Sequence, residues 1–96
     1  MILKKLDGRM SGYGDFTHCA DFTFGGTDRR TFAEARRWCE EQWGQSVDYD
    51  IWQKYDDFKN PAWAWERGET NNSYRCRIYL ASEKEAQWFG LRWGGI

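Results

Sequence analysis

The sequence predicts an α+β domain: an antiparallel sheet of four to five strands with two helices packed on one face, in the order β-β-α-β-β-β-α. Three observations support this prediction. Several short segments alternate apolar and polar residues, as half-buried strands do. Two other segments repeat apolar residues at helical spacing, and each begins with a capping-box motif. Stretches rich in glycine and asparagine separate these segments.

Length and composition predict a single domain spanning residues 1–96. A chain of this size buries roughly 65% of its surface on folding, which is enough for a modest core. Hydrophobic residues make up 41% and charged residues 30%, with one proline, so the composition excludes a disordered chain. Lysine and arginine number 14 against 15 acidic residues. The resulting net charge of −1 excludes the strongly basic class of duplex-DNA-binding proteins.

The first half of the chain predicts two paired strands and a helix. The apolar segment 2–6 and the alternating segment 16–24 are expected to pair across the glycine-rich residues 7–14. In the second strand, His18 shares a face with Phe16 and Phe22, so we interpret it as a core residue rather than a catalytic base. The helix is expected to begin at the capping box of Thr31, with Thr27 as the alternative cap, and to end at Trp43 before Gly44.

The second half predicts three strands and a second helix. Residues 47–55 and 74–80 show a strand-like alternation of side chains, and Trp63 and Trp65 share a face within residues 62–67. The capping box Ser82-Glu83-Lys84-Glu85 then begins a helix that ends before Gly94-Gly95. Ala86, Phe89 and Trp93 fall on one side of this helix and are expected to dock on the sheet.

Cysteine and histidine usage predicts neither a metal site nor an enzyme. The three cysteines form no CxxC pair, and the chain has one histidine. Cys19 and His18 point to opposite faces of the predicted strand, so no Cys-His pair can be assembled. An odd number of cysteines, no apolar leader and no long apolar run predict a cytoplasmic protein without a membrane span. We expect no cofactor.

Residues 35–94 resemble small proteins encoded by tailed bacteriophages. The resemblance is carried by residues 37–44, by Trp63-Ala64-Trp65 and by residues 74–94, which end in Phe-Gly-Leu-Arg-Trp-Gly. Those proteins similarly end in an aromatic strand, an acidic helix start and an aromatic-glycine terminus. The resemblance implies a bacteriophage origin and expression in the cytoplasm of a bacterial host. It implies no particular activity.

An acidic cluster is the first candidate site. Six carboxylates occur within residues 40–57, where they can form a solvated rim, bind a divalent cation or imitate the phosphates of a nucleic acid. With exposed tryptophan as an anchor, such a rim would steer the protein to a basic groove on a host or phage protein, which it would modulate or inhibit. The predicted rim is Glu40, Glu41, Asp48, Asp50, Asp56 and Asp57, and the predicted aromatic anchors are Trp52 and Trp63.

The alternative function is binding of single-stranded nucleic acid. Arginine and aromatic residues alternate on the strand 74–80, and the predicted strand 47–55 offers a second aromatic-basic pair. Such a sheet face binds bases by stacking and phosphates by ion pairing. The predicted face comprises Trp52, Lys54, Arg75, Arg77 and Tyr79. The surplus of tryptophan also makes a homodimer a candidate assembly.

Overall fold

The computed structural model describes the backbone of residues 1–22, 29–70 and 73–94, and the side chains of residues 1–22, 31–57, 59–68 and 76–94. The chain forms four strands, three α-helices and one 3-10 turn in these ranges. In chain order they are β1 (Ile2–Lys5), β2 (His18–Asp21), α1 (Arg29–Trp43), α2 (Tyr49–Lys54), the 3-10 turn Asp56–Phe58, β3 (Trp63–Thr70), β4 (Ser73–Leu80) and α3 (Glu83–Trp93).

The four strands form one antiparallel sheet in the order β1-β2-β4-β3. Ile78 of β4 lies between Ala20 of β2 and Trp65 of β3. Residues 46–48 run beside β3: Ser46 Oγ donates to the carbonyl of Trp63 at 2.7 Å. The predicted α+β class and antiparallel sheet are confirmed.

Helices α1 and α3 pack on one face of the sheet, as predicted. Phe32 and Cys39 of α1 and Phe89 of α3 are at most 2% exposed, and they meet alternate residues of the strands. Phe22 joins the two helices, with ring centroids 5.7 Å from Phe32 and 6.3 Å from Phe89. The buried members of this core are Ala20, Phe22, Phe32, Ala35, Cys39, Trp63, Cys76, Ile78, Leu80, Ala86 and Phe89.

The opposite face of the sheet is also partly covered, by α2 and the segment 6–16. Gly12, with φ of 88°, brings the chain so close that a Cβ there would lie 2.7 Å from the ring of Tyr79. Burying aromatic rings on this face stabilises the domain by roughly 1.5–3 kcal/mol for each fully buried side chain. The buried members of this second core are Leu6, Phe16, Cys19, Tyr49, Trp52, Ala64 and Tyr79.

The strand predicted at residues 47–55 was wrong, because this segment forms α2. Asp48 caps the helix, and its carboxylate accepts a hydrogen bond of 3.0 Å from the N–H of Asp50. Tyr49 and Trp52, three residues apart, are buried, whereas Ile51 is exposed. Burial therefore follows helical spacing, and the alternation of period two in this segment has no structural counterpart. The observed order is β-β-α-α-β-β-α.

The second strand and the helix starts differ from prediction in detail. β2 covers only His18–Asp21, so Phe16, ahead of the strand, enters the second core while Phe22 enters the first. His18 is half-buried and within 2.8 Å of the hydroxyl of Thr17, so it is not the predicted core residue. Phe24 and Thr27 lie outside the described residues.

Thr31 lies inside α1, which begins at Arg29, so the capping box predicted there does not start the helix. Ser82 is the N-cap of α3, and its hydroxyl donates to the carboxylate of Glu85. Gly44 and Gly94, both with positive φ, end α1 and α3 as predicted. The predicted α3 boundaries are therefore confirmed.

Candidate protein-binding surfaces

Exposed apolar and acidic side chains lie close together in the chain along α2 and the 3-10 turn. Ile51 is 43% exposed and Tyr55 is 56% exposed. The two residues are one helical turn apart, since the N–H of Tyr55 donates to the carbonyl of Ile51 at 3.1 Å. The exposed carboxylates of Asp50, Asp56 and Asp57 flank them in the chain. These five residues are called the α2 surface below.

Two hydrogen bonds and a ring contact hold α2 against residues 15–16 and Asn60. The indole Nε1 of Trp52 donates to the carbonyl of Asn60 at 3.0 Å, and its ring centroid lies 4.8 Å from that of Phe16. The hydroxyl of Tyr49 donates to Asp15 at 2.7 Å. Burial, together with this bond, raises the pKa of Tyr49 above its usual value. Since α2 has only six residues, these contacts rather than helix propensity hold the α2 surface in place.

The predicted aromatic anchors, Trp52 and Trp63, are core residues. Trp52 is 8% exposed, and Trp63 is fully buried with Nε1 donating to the carbonyl of Gly44 at 2.9 Å. Neither ring is available to a partner in this structure. The exposed large apolar side chains among the described residues are instead Ile2, Tyr13, Ile51, Tyr55, Trp88 and Leu91.

The predicted acidic rim divides into groups with different surroundings. Asp48 is structural, because it caps α2 and accepts the N–H of Arg67 at 3.4 Å. Asp56 pairs with Lys59 at 3.0 Å, yet its side chain remains 93% exposed. Asp50 and Asp57 are exposed. Glutamates of the rim lie on α1 rather than on the α2 surface.

Those two glutamates point in different directions around α1. Glu40 lies near Arg36, whose guanidinium stacks 3.6 Å from the ring centroid of Trp65. Burial lowers the pKa of Arg36, while the charges of Glu40 and Asp48 oppose that shift. Glu41 is exposed and sits about 100° further around the helix. The structure thus joins Glu40 to the Asp48 side of the molecule and separates Glu41 from it.

The predicted nucleic-acid face is not assembled on one exposed surface. Tyr79 is fully buried, its hydroxyl donates to Glu66 at 3.2 Å, and burial raises its pKa. Arg77 is held by Asp21 at 3.3 Å and by Glu66 at 3.6 Å. The segment 6–16 and α2 cover this part of the sheet, and no local pattern within β4 indicates that covering. Trp52 is buried, Lys54 is exposed on α2, and Arg75 lies opposite Gly68, its side chain being outside the described ones.

No metal or redox site is formed in the described part of the chain. Among the described side chains of residues 1–22, 31–57, 59–68 and 76–94, no three His, Cys, Asp or Glu residues are grouped as metal ligands. The three cysteines are buried, and no disulfide bond joins them. Burial raises the pKa of Cys19 to about 12, and it also raises the pKa of Cys39. Thiols that stay protonated at neutral pH are poor nucleophiles and poor metal ligands.

A polar cavity of about 300 Å³ lies near the β1 edge of the sheet, and Lys4, Arg9 and Arg77 contribute to its lining. Three carboxylates balance these three cations: Lys4 and Arg77 share Asp21, Arg77 also pairs with Glu66 at 3.6 Å, and Arg9 pairs with Asp7 at 3.3 Å. Asp21 is 1% exposed. Because the cations are already neutralised, the cavity offers little attraction to an anion.

A groove of about 440 Å³ lies between the end of α1 and α3. Trp88 is 51% exposed, and its Nε1 donates to the amide oxygen of Gln42 at 3.1 Å, which ties the two helices together. Leu91, which also lines the groove, is 78% exposed. The lining residues are Trp43, Lys84, Glu85, Gln87, Trp88 and Leu91.

Comparison of the chain with known protein families, curated proteins and solved structures finds no match. In the described ranges, no helix combines the length and apolar character needed to cross a membrane. The exposed surfaces described above are therefore the basis for assigning a function. The sequence prediction missed two residues of the α2 surface, Ile51 and Tyr55. A helix in this segment was indicated by Asp48, a typical N-cap residue, followed by Tyr49 and Trp52 at helical spacing.

Proposed function

We propose that the protein acts by binding another protein through the α2 surface, and that the partner presents an apolar recess surrounded by basic residues. One observation carries this proposal: Ile51 and Tyr55 are exposed one turn apart, with the carboxylates of Asp50, Asp56 and Asp57 close in the chain. An aromatic residue at the centre of a polar rim is typical of the residues that dominate protein interfaces.

The magnitudes assign different roles to the apolar centre and to the carboxylates. Fully burying an isoleucine or aromatic side chain contributes about 1.5–3 kcal/mol, so this pair supplies at most about 6 kcal/mol. A dissociation constant of about 1 µM needs roughly 8 kcal/mol, so the interface must extend beyond the pair. The carboxylates contribute mainly to the rate of association and to the choice of partner.

Charge also points to the class of partner. Residues 48–59 hold four aspartates and two lysines, a net charge of −2 in a chain whose total is −1. An acidic surface is attracted to the basic grooves of proteins that handle nucleic acid. The bacteriophage resemblance of the sequence fits a bacterial host protein of this class, such as a defence nuclease. Binding in the groove would block access of its nucleic acid.

Single-stranded nucleic-acid binding has no specific observation in its favour. It required Trp52 and Tyr79 to be exposed on one sheet face, and both rings are buried. The exposed carboxylates of the α2 surface would repel phosphates. We therefore propose protein binding as the single function.

Affinity capture from bacterial lysate tests the proposal, using the tagged protein before and after nuclease treatment. We expect a stoichiometric protein that survives nuclease treatment and is lost with Tyr55→Ser. Ile2→Ser is the matched control, because Ile2 is 51% exposed on β1, at the opposite edge of the sheet from β3. Capture of the same protein by the Tyr55→Ser variant would contradict the proposal, as would recovery that depends on nucleic acid.

A further inference from the structure

The outer side of α3 carries a second apolar area, separate from the α2 surface. Trp88 and Leu91 are 51% and 78% exposed. With Lys84 and Gln87 they form a stripe spaced i, i+3, i+4 and i+7, which lies along one side of a helix. The opposite side of α3 is already buried in the core through Ala86 and Phe89. Two neighbouring large apolar side chains that are this exposed on one side of a helix make it a candidate interaction surface.

The charges along α3 determine which partner fits this stripe. The first turn carries Glu83 and Glu85 with Lys84 of the stripe between them, so its net charge is −1, and the last turn is basic, with Arg92. A second α3 running antiparallel would place each acidic turn beside a basic turn, and the two helix dipoles would also be aligned favourably. A second α3 running parallel would instead place each charge beside a charge of the same sign.

We infer that α3 pairs antiparallel with α3 of a second copy of this chain, across a two-fold axis between Gln87 and Trp88. In this register Leu91 of one copy lies level with Lys84 of the other, where the aliphatic part of the lysine covers it. The two Lys84 residues are separated by about 10 Å along the helix axis, from a rise of about 1.5 Å per residue. The two Trp88 rings lie near the axis, beside the groove lined by Trp43.

Such an interface closes on itself, because a two-fold axis uses the same surface on both copies. It is also small, since α3 has 11 residues and spans about 16 Å. Interfaces at the low end of the size range are generally weak and transient, so we expect a dissociation constant in the micromolar range. The α2 surface is not part of it, and a dimer would therefore present two copies of that surface to partners.

Sedimentation equilibrium tests the dimer on the full chain, at concentrations from about 1 µM to about 1 mM, the range in which weak interfaces form. We expect a monomer–dimer equilibrium for the wild type and a monomer for Leu91→Glu at all concentrations. Because Leu91 is 78% exposed, the change leaves the core intact, and circular dichroism would verify this. Ile51→Glu is the matched control and should dimerise like the wild type.

A wild type that remains monomeric at the highest concentration would overturn the inference. A Leu91→Glu variant that dimerises normally would also overturn it. The two proposals can fail separately. If the α2 surface is not a binding site, the Tyr55→Ser variant captures the same protein as the wild type, and the sedimentation results do not change.

Spin labels test the antiparallel orientation in separate Gln87→Cys and Glu83→Cys variants. The three native thiols are buried, so a thiol-reactive label attaches to the new cysteine. Moving the label from position 87 to position 83 shifts it by about 6 Å along the helix, in opposite directions in the two copies. The axial distance between the two labels therefore grows by about 12 Å. We expect a clearly longer distance for the label at position 83. Equal distances at the two positions would indicate parallel helices and overturn the antiparallel arrangement.

Discussion

The indole of Trp52 donates its hydrogen bond to the carbonyl of Asn60, and the side-chain amide of Asn60 in turn reaches back to the end of α1. Its Nδ2 lies 2.8 Å from the carbonyl of Trp43 and 3.1 Å from that of Gln45, and its Oδ1 accepts the N–H of Ala62 at 2.8 Å. Asn60 is 8% exposed. Asn60 therefore joins α1 and the start of β3 through its side-chain amide, and α2 through its main-chain carbonyl.

Asn60→Ala should lower the free energy of unfolding by about 2–4 kcal/mol, because several backbone groups lose their partners in a buried setting. Urea denaturation would measure the loss. Asn60→Asp keeps the shape but replaces the donor with a carboxylate that faces backbone carbonyls, so we expect it to be at least as destabilising. A cost below about 0.5 kcal/mol for Asn60→Ala, typical of a surface change, would contradict this role.

Gly12 and Gly14 provide a matched pair for the close approach to Tyr79. Both have positive φ, of 88° and 94°, so alanine at either position incurs a backbone cost of about 1–2 kcal/mol. Only at Gly12 would the added Cβ meet the Tyr79 ring, at 2.7 Å, whereas nothing lies within 4 Å at Gly14. Gly12→Ala should therefore be clearly more destabilising than Gly14→Ala in thermal denaturation. Equal losses would show that the ring moves aside without cost.

Alkaline pH should destabilise the domain through its buried thiols. Burial raises the pKa of Cys19 from 9.0 to about 12, so the unfolded chain releases this proton first. The contribution of this thiol to the free energy of unfolding is therefore complete below pH 9. As the pH rises from 9 toward 12, that contribution falls by about 1.4 kcal/mol per pH unit. The pKa values of Cys39 and Tyr79 are raised in the same direction.

Urea denaturation at a series of pH values above 8 would measure this dependence. Cys19→Ala removes one titrating group, so its stability should fall less steeply with pH than that of the wild type, whatever its absolute stability. An identical slope in the two proteins would contradict the assignment to Cys19.

Charge reversal on the α2 surface should slow association with the captured partner. We choose Asp50→Lys with Asp57→Lys, because Asp48 is required to cap α2. Steering by rim charges changes the association rate by about tenfold or more at low salt, with little effect on dissociation. Glu41→Lys is the control, since Glu41 is exposed on α1 outside the α2 surface. Unchanged association kinetics, measured over a salt series, would show that these aspartates do not steer binding.

Local patterns were sufficient to predict the sheet, both long helices and their ends at Gly44 and Gly94. They failed at α2, because six residues are too few to distinguish a period of two from a helical period. Val47, Tyr49 and Ile51 fit a strand, while the burial of Tyr49 and Trp52 fits a helix. Over so short a segment, tertiary packing decides the outcome.

The candidate site was predicted only in part for a related reason. Asp50, Asp56 and Asp57 are exposed, as an acidic rim requires. The choice of anchors depended on which aromatic rings are covered, and residues distant in sequence determine that. Tyr79, for example, is covered by the segment around Gly12, and no pattern within β4 reports that contact.

The order of the strands has a consequence for synthesis on the ribosome. β4, the last of the four described strands along the chain, lies between β2 and β3, and its pairing with β2 joins His18 to Leu80. A nascent chain that ends before Ser73 holds three of the four strands but not the one that unites them. Contacts this distant in sequence form late and slow the overall reaction. The emerging chain therefore carries exposed strand edges until β4 has been translated, and protection from aggregation is most needed in that interval.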